Sequence, residues 1–160
     1  MFFSAIVLIA AGVASGQTPR DALEVLRVDL KADRKAIIAE QMNLTGSESE
    51  AFWPIYRNYR AEVEKVTDQI VKMILEYADL YPSVPDVKAS ELLNNYGQAE
   101  ANLLSIKRKY VKKFEKVLPA SKVFRFVQLD NRYDLGIRVG LAAVIPIARQ
   151  DSTPPAEAQH

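Results

Sequence analysis

The sequence predicts an all-α protein of about four helices, elongated and built around a long central antiparallel helical hairpin. Apolar residues recur at steps of three or four over long stretches, as they do along one face of a helix. Two prolines within six residues interrupt this pattern and favour a reversal of the chain. The 160 residues are 49% apolar and 26% charged, which is typical of a folded chain with a core of its own.

The chain begins with an apolar run of 13 residues, Phe2 to Ala14, followed by small residues. This run is too short to cross a membrane comfortably and has the length of the central part of a signal peptide. We therefore expect residues 1–16 to be a signal peptide and the protein to be periplasmic or secreted. Because no Lys or Arg precedes the run, an uncleaved anchor is the alternative.

A helical domain is predicted over residues 21–149, and its first helix runs from Asp21 to about Met42. Thr45 begins the second helix, because Glu48 follows three residues later and the pair has the spacing of a capping box. Pro54 should bend this helix without ending it. Its apolar stripe holds one face to about Tyr81: Phe52, Ile55, Tyr59, Val63, Val66, Ile70, Met73 and Tyr77.

The segment Tyr81 to Asp86 contains the two prolines and is the predicted reversal loop. Helix three should run from about Ser90 to Val117, and Pro119 should begin helix four. The end of helix four, Leu135–Ala148, is apolar almost all round and should be covered by another surface. Residues 150–160 show no periodicity and are predicted to be a disordered tail.

The charge is unevenly distributed although its net value is only +1. Between Asp21 and Glu100 there are 9 basic and 15 acidic residues, and from Ala101 to His160 there are 11 basic and 5 acidic ones. The sequence has no overall excess of basic residues of the kind that nucleic-acid binding requires. The opposite halves favour self-association as a homodimer, or an oriented partner.

The sequence offers little for catalysis or for a metal. It has no cysteine, and its single histidine is His160. Asp130 and Asp134 lie one helical turn apart beside Arg132 and could form a carboxylate pair, but a solvated, salt-bridged helix face is the favoured interpretation. We predict no enzyme activity, no metal and no cofactor.

Two sets of residues are candidates for binding a partner. The predicted partner-binding residues form the densest basic run of the chain: Arg108, Lys109, Lys112, Lys113, Lys116 and, past the turn, Arg125. A solvated face that complements the helix dipole is the alternative. The aromatic candidates are either a client-binding surface or core: Trp53, Tyr56, Tyr59, Tyr77, Tyr81 and Tyr96.

The start of helix two, Leu44-Thr45-Gly46-Ser47-Glu48, has a weaker echo in Leu118-Pro119-Ala120-Ser121-Lys122. With the signal peptide and four helices, this pattern resembles the LTxxQ (Spy/CpxP-like) family of small exported helical proteins. The resemblance implies a cradle-like dimer that shields unfolded proteins without ATP, restrains an envelope-stress sensor or senses metals. For the last role this chain offers no cysteine, only His160 at the end of the predicted tail, and only Met42 and Met73 after the predicted signal peptide.

The sequence therefore predicts an exported, chaperone-like or envelope-stress protein that binds unfolded or partner proteins. Two alternatives remain open at this point. One is a regulatory partner that docks on a membrane sensor through the Lys109 to Lys116 face. The other is an amphipathic protein of an anionic membrane surface, which would bind through Leu135–Ala148.

Overall fold

The structure is a computed structural model that describes residues 33–149. All regular secondary structure in this range is helical: α1 covers 33–41, α2 Gly46–Leu80, α3 Asp86–Phe114 and α4 Ala120–Val144. The predicted all-α fold class is confirmed. The predicted signal peptide over 1–16, the start of helix one at Asp21 and the predicted tail over 150–160 lie outside the described residues, and the domain limits of 21–149 stay a prediction.

The described chain separates into two compact units. The first unit consists of 33–49 and Pro119–Ile145, and the second of Glu50–Leu118 and 146–149. α2 begins in the first unit and continues into the second. Each unit thus joins segments that are separated in the sequence.

In the second unit, α2 and α3 form the predicted antiparallel hairpin. Three contacts define their direction: Phe52 with Phe114, Tyr59 with Tyr110, and Glu76 with Lys88. The partner's number falls along α3 as the residue number rises along α2, so the two helices run in opposite directions. With 35 and 29 residues, these helices are on the order of 50 and 40 Å long.

The ends of α3 differ from those predicted. It begins at Asp86 rather than Ser90, because Pro85 already serves as the N-cap residue and its carbonyl accepts the N–H of Ala89 at 2.8 Å. Asp86 places a negative charge in the first turn, where the helix dipole favours it. α3 ends at Phe114 and not at Val117. A tighter turn follows, in which the Val117 N–H donates to the Phe114 carbonyl at 3.0 Å.

The core of the second unit is rich in aromatic rings. Phe52 and Phe114 are fully buried, with ring centroids 5.1 Å apart, and Tyr59 packs against Tyr110 at 5.4 Å. Of the predicted stripe of α2, four residues are buried and four are half-buried: Phe52, Tyr59, Val63 and Val66, then Ile55, Ile70, Met73 and Tyr77. α2 continues through Pro54 as one helix.

In the first unit, α1 runs antiparallel to α4. Three contacts show this: Arg34 with Asp130, the Gln41 carbonyl with Arg125, and the Asn43 carbonyl with Lys122. The turn between α1 and α2 passes through Asn43, whose φ of 46° lies in the left-handed region that Asn tolerates better than most residues.

The hydrogen bonds of a capping box are present at the start of α2. The Thr45 N–H donates to Glu48 Oε2 at 2.8 Å, and the Glu48 N–H donates to Thr45 Oγ1 at 3.4 Å. Two amide donors at the start of α2, those of Thr45 and Glu48, are therefore satisfied by side chains.

Candidate protein-binding surface

α3 is buried on one side and carries exposed apolar side chains on another. Its buried residues are Ala99, Tyr110 and Phe114, while Leu93, Tyr96 and Leu104 are exposed to 71%, 51% and 51%. At 100° per residue, Leu93 and Leu104 lie within about 20° of each other around the helix, and about 120° or more from Ala99. We call Leu93, Tyr96 and Leu104, with the small residues between them, the outer stripe of α3.

The surface of the outer stripe is shallow in its middle because Gly97 and Ala101, which have the smallest side chains, lie there. Both residues are exposed. A Cβ atom added at Gly97 would meet no other atom within 4 Å. The stripe therefore offers two leucines and a tyrosine around a shallow position that a partner's side chain could fill. Contiguous exposed apolar residues of this kind are typical of binding surfaces.

The predicted basic residues continue this surface toward the C-terminal end of α3. Arg108, Lys112 and Lys116 are exposed, and none forms an ion pair with another residue in 33–149. Arg108 lies about 40° from Leu104 around the helix axis. The side of α3 turned away from α2 thus carries Leu93, Tyr96 and Leu104, with the half-buried Glu100 among them, and basic residues follow at its end.

Lys109 and Lys113 were predicted to belong to the same basic face. In the structure, each of them contacts another side chain of the α2–α3 hairpin. The Lys109 ammonium forms an ion pair with Glu62 of α2, and the Lys113 ammonium lies 4.4 Å from the centre of the Tyr110 ring. The Tyr110 hydroxyl donates to Glu62 Oε1 at 2.7 Å. The Lys109 ion pair therefore helps to hold α3 against α2, whereas the contact of Lys113 with Tyr110 lies within α3.

This cluster shifts the pKa of two of its members. The hydrogen bond from Lys109, with that from Tyr110, lowers the pKa of the Glu62 carboxyl below its ordinary value. Burial, and then the hydrogen bond to Glu62, raises the pKa of Tyr110 to about 12. Glu62 is thus an anion that accepts two hydrogen bonds, and Tyr110 stays a neutral donor at ordinary pH.

Arg125, the sixth predicted partner-binding residue, lies in the other unit. Its Nε donates to the Gln41 carbonyl at 2.6 Å, at the end of α1. Lys122 acts in the same place, because its ammonium contacts the Asn43 carbonyl and the Glu48 carboxylate. Both side chains satisfy carbonyl groups that the end of α1 leaves without helical partners.

The paired aspartates of α4 have a partner that the sequence did not suggest. Arg34 of α1 donates to Asp130 at 2.7 Å and to Asp134 at 2.6 Å, and its guanidinium lies 4.3 Å from the centre of the Tyr133 ring. Asp130 is 3% exposed. The favoured interpretation, a solvated, salt-bridged helix face, is right in the salt bridge and wrong in the solvation of Asp130, because this carboxylate is buried against a cation from α1.

The aromatic candidates divide between core and surface. Tyr56 and Tyr59 are buried, Trp53 and Tyr77 are half-buried, and Tyr81 and Tyr96 are exposed. Trp53 packs edge-on against Tyr56, with ring centroids 5.3 Å apart. Tyr96 is the member of this set that lies on the outer stripe.

The described residues offer little for chemistry. An open groove of about 460 Å³ lies between α2 and α3, and it has neither histidine nor cysteine among its lining residues: Glu62, Lys65, Val66, Asn102, Ser105 and Ile106. Within 33–149, no group of three or more histidine, cysteine or acidic residues is placed to hold a metal ion.

No helix in the described range is both long and apolar enough to span a bilayer. The fold and the outer stripe define the class of the molecule as an all-α protein with an exposed apolar helix face. No protein-family model, curated protein or solved structure gives a significant match to this chain.

Proposed function

We propose that this protein is an exported helical binding module that holds unfolded or partner proteins without ATP, of the chaperone-like or envelope-stress type. The observation that carries the proposal is the outer stripe of α3, where Leu93, Tyr96 and Leu104 are more than half exposed. The apolar run Phe2 to Ala14 supports a periplasmic or secreted location. The proposal includes no catalytic step.

The composition of the surface suits an unfolded client. Such a chain exposes apolar side chains that gain free energy when they leave water, and the outer stripe supplies apolar area for that contact. Arg108, Lys112 and Lys116 lie at one end of the stripe and can meet acidic side chains of the same client. Because the contacts would be few and dispersed, binding should be weak for any one sequence and broad in specificity.

The test is suppression of client aggregation by the full chain in the absence of nucleotide, measured by light scattering. We expect protection from the wild-type protein and its loss when Leu93→Glu and Leu104→Glu are combined. The matched control is Asn95→Glu with Gln98→Glu, which adds the same charge at exposed positions of α3 that lie about 120° or more from Leu93 and Leu104 around the helix. No protection by the wild type at stoichiometric excess would contradict the proposal. An equal loss in both variants would show that the stripe is not the contact.

We also propose that the protein is a homodimer. Opposite charge in the two halves of the sequence supports association, and an apolar stripe gains stability when a second copy covers part of it. The measurement is the mass in solution, which should be twice the 17.9 kDa of one chain. A monomer at all concentrations up to those of the client test would contradict this part.

A second candidate function is a regulatory partner of a membrane sensor. The exposed basic residues Arg108, Lys112 and Lys116 favour it, because they form no ion pair with another described residue. Lys112→Glu combined with Lys116→Glu should abolish co-purification of one specific membrane protein. The same exchange at Lys65 and Lys72, exposed on α2, should leave it intact. Unchanged capture by the first variant would remove the basis of this candidate.

A further inference from the structure

The outer stripe of α3 continues at its two ends into exposed charges of opposite sign. Asp86 lies in the first turn of α3, about 20° from Leu93 around the helix axis. At the other end, Arg108 and Lys112 lie about 60° and 100° from Leu93. All three charged side chains are exposed, and they form no ion pair with another residue in 33–149. The stripe therefore has an acidic start and a basic end, with its exposed apolar side chains between them.

The apolar residues of the stripe are spaced so that two copies of it match when the helices run antiparallel. With a two-fold axis midway between Gly97 and Ala101, Gly97 of one copy lies level with Ala101 of the other, and these small residues allow the helices to approach closely. Leu93 of each copy then lies within about 2 Å, along the helix direction, of Leu104 of the other. The exposed leucines thus cover each other on both sides of the crossing.

The charged ends of the stripe agree with the same antiparallel register. Asp86 of one copy lies level with Lys112 of the other, and Arg108 of that other copy is about 6 Å away along the helix. Opposite charges therefore meet at both ends of the contact, whereas a parallel pair would bring like charges together. Glu100 is half-buried and already interacts within its own chain. The two copies of Glu100 lie near the two-fold axis, which limits the stability of the contact.

We propose that a second copy of this chain occupies the outer stripe, with the two α3 helices antiparallel, and that this pairing and client binding exclude each other. The inference rests on the proposed function, because the client uses the same stripe. The dimer is then a resting form in which Leu93, Tyr96 and Leu104 are withdrawn from water, and a client competes with the second copy for them. Only the monomeric fraction of the chains binds clients, so protection per chain falls as the protein concentration rises.

Charge reversal in the full chain tests the antiparallel register. Asp86→Lys and Lys112→Asp each place like charges at both ends of the contact, and each variant alone should dimerise about tenfold more weakly than the wild type. A 1:1 mixture of the two variants restores both pairs of opposite charge and should associate as tightly as the wild type. Analytical ultracentrifugation measures the dissociation constants. The control variants are Asp79→Lys and Lys72→Asp, at exposed positions of α2, which should leave dimerisation unchanged.

A covalent link between two copies tests the exclusion of clients. Because the sequence has no cysteine, Ala101→Cys gives each chain one thiol, and the two thiols of the proposed dimer lie close enough for a short bismaleimide. The linked dimer should lose the ability to slow client aggregation, whereas the same variant capped with N-ethylmaleimide should keep it. Gln98→Cys is the control, because this exposed position lies about 120° from Leu104 around the helix and should not be linked.

Three results would overturn the inference while client binding stands. The first is a wild-type chain that stays monomeric at the concentrations of the client test. The second is a mixture of the two charge variants that associates no better than either alone, or more tightly than the wild type, which would indicate a parallel pair. The third is a linked dimer that protects clients as well as the capped single chain.

The proposed function fails in a different way. Absence of protection by every variant and by the wild type would contradict client binding and its exclusion by the dimer, and the mixture of charge variants would still decide the register. Circular dichroism of each variant checks that its helix content is that of the wild type. Recovery of the dimer in the mixture shows in addition that both charge variants are folded.

Discussion

The guanidinium of Arg34 lies 2.7 Å from the carboxylate of Asp130, and the two side chains are only 5% and 4% exposed although 96 positions separate them in the sequence. Removing a charge from water is costly, and this cost is offset only while the opposite charge is in place. The free energy of unfolding should therefore fall most when one member of the pair is removed and the other is left buried.

We predict that Arg34→Met lowers the free energy of unfolding by about 3–5 kcal/mol, because it leaves the Asp130 carboxylate buried with its main cation gone. Arg34→Met combined with Asp130→Leu should cost less than Arg34→Met alone. Urea denaturation followed by circular dichroism measures both. The control is Lys35→Met at the adjacent exposed position, with an expected change within about 0.5 kcal/mol. A loss of stability no larger for Arg34→Met than for Lys35→Met would refute this role.

Two phenylalanines of opposite burial allow a matched test of the core. Phe114 is fully buried against Phe52, whereas Phe124 is 64% exposed on α4. Phe114→Ala should lower the free energy of unfolding by about 3–5 kcal/mol because it removes apolar contacts and leaves a cavity. Phe124→Ala should change it by about 0.5 kcal/mol or less. Similar midpoints of urea denaturation for the two variants would contradict the packing of the hairpin.

Tyr110 should make stability depend on pH in the alkaline range. Its pKa is raised to about 12 in the folded protein, against about 10 in an unfolded chain. The folded state therefore favours the protonated phenol, and this contribution is fully present below pH 10 and disappears between about pH 10 and 12. In an absorbance titration, Tyr110→Phe should remove the late-titrating tyrosine step of the wild type. A late step that persists in Tyr110→Phe would be inconsistent with the buried hydroxyl.

The start of α2 can be tested through its cap. Thr45→Ala removes the oxygen that accepts the Glu48 N–H and should lower the free energy of unfolding by about 1 kcal/mol. Thr45→Ser keeps that acceptor and should stay close to the wild type. Chemical denaturation of the wild type, Thr45→Ala and Thr45→Ser measures the three free energies of unfolding. If Thr45→Ser is as destabilised as Thr45→Ala, the hydroxyl is not the cause.

The helices could be predicted because their apolar periodicity is local. Phe52, Tyr59, Val63 and Val66 of the α2 stripe are buried as the spacing indicated. The prolines of the Tyr81 to Asp86 segment mark the reversal between α2 and α3. The predicted start of α3 at Ser90 was four residues late, since the helix begins at Asp86. Helix ends follow capping groups such as Pro85 and Asp86, which periodicity does not report.

The contacts between distant segments were harder to infer. Arg34 lies four residues before the buried Ile38, and Asp130 four residues after the buried Phe126, so each charge falls in an apolar line. That interruption is a signal for a buried ion pair, but nothing local identifies its partner. In the same way, the helical spacing of Lys109 and Lys113 predicted that they share one basic face with Lys112 and Lys116. The contact of Lys109 with Glu62 depends on how α2 faces α3, whereas Lys113 contacts Tyr110 on its own helix.

The pairing of α1 with α4 also sets an order of events during synthesis. A ribosome completes the α2–α3 hairpin before Asp130 is made, so the hairpin can form while α1 still lacks its ionic partner. A chain that stops at Leu118 would keep the aromatic contacts of the hairpin and leave Arg34 exposed to solvent or to a chaperone. α1 can therefore form its ion pair with Asp130 only after α4 has been synthesised.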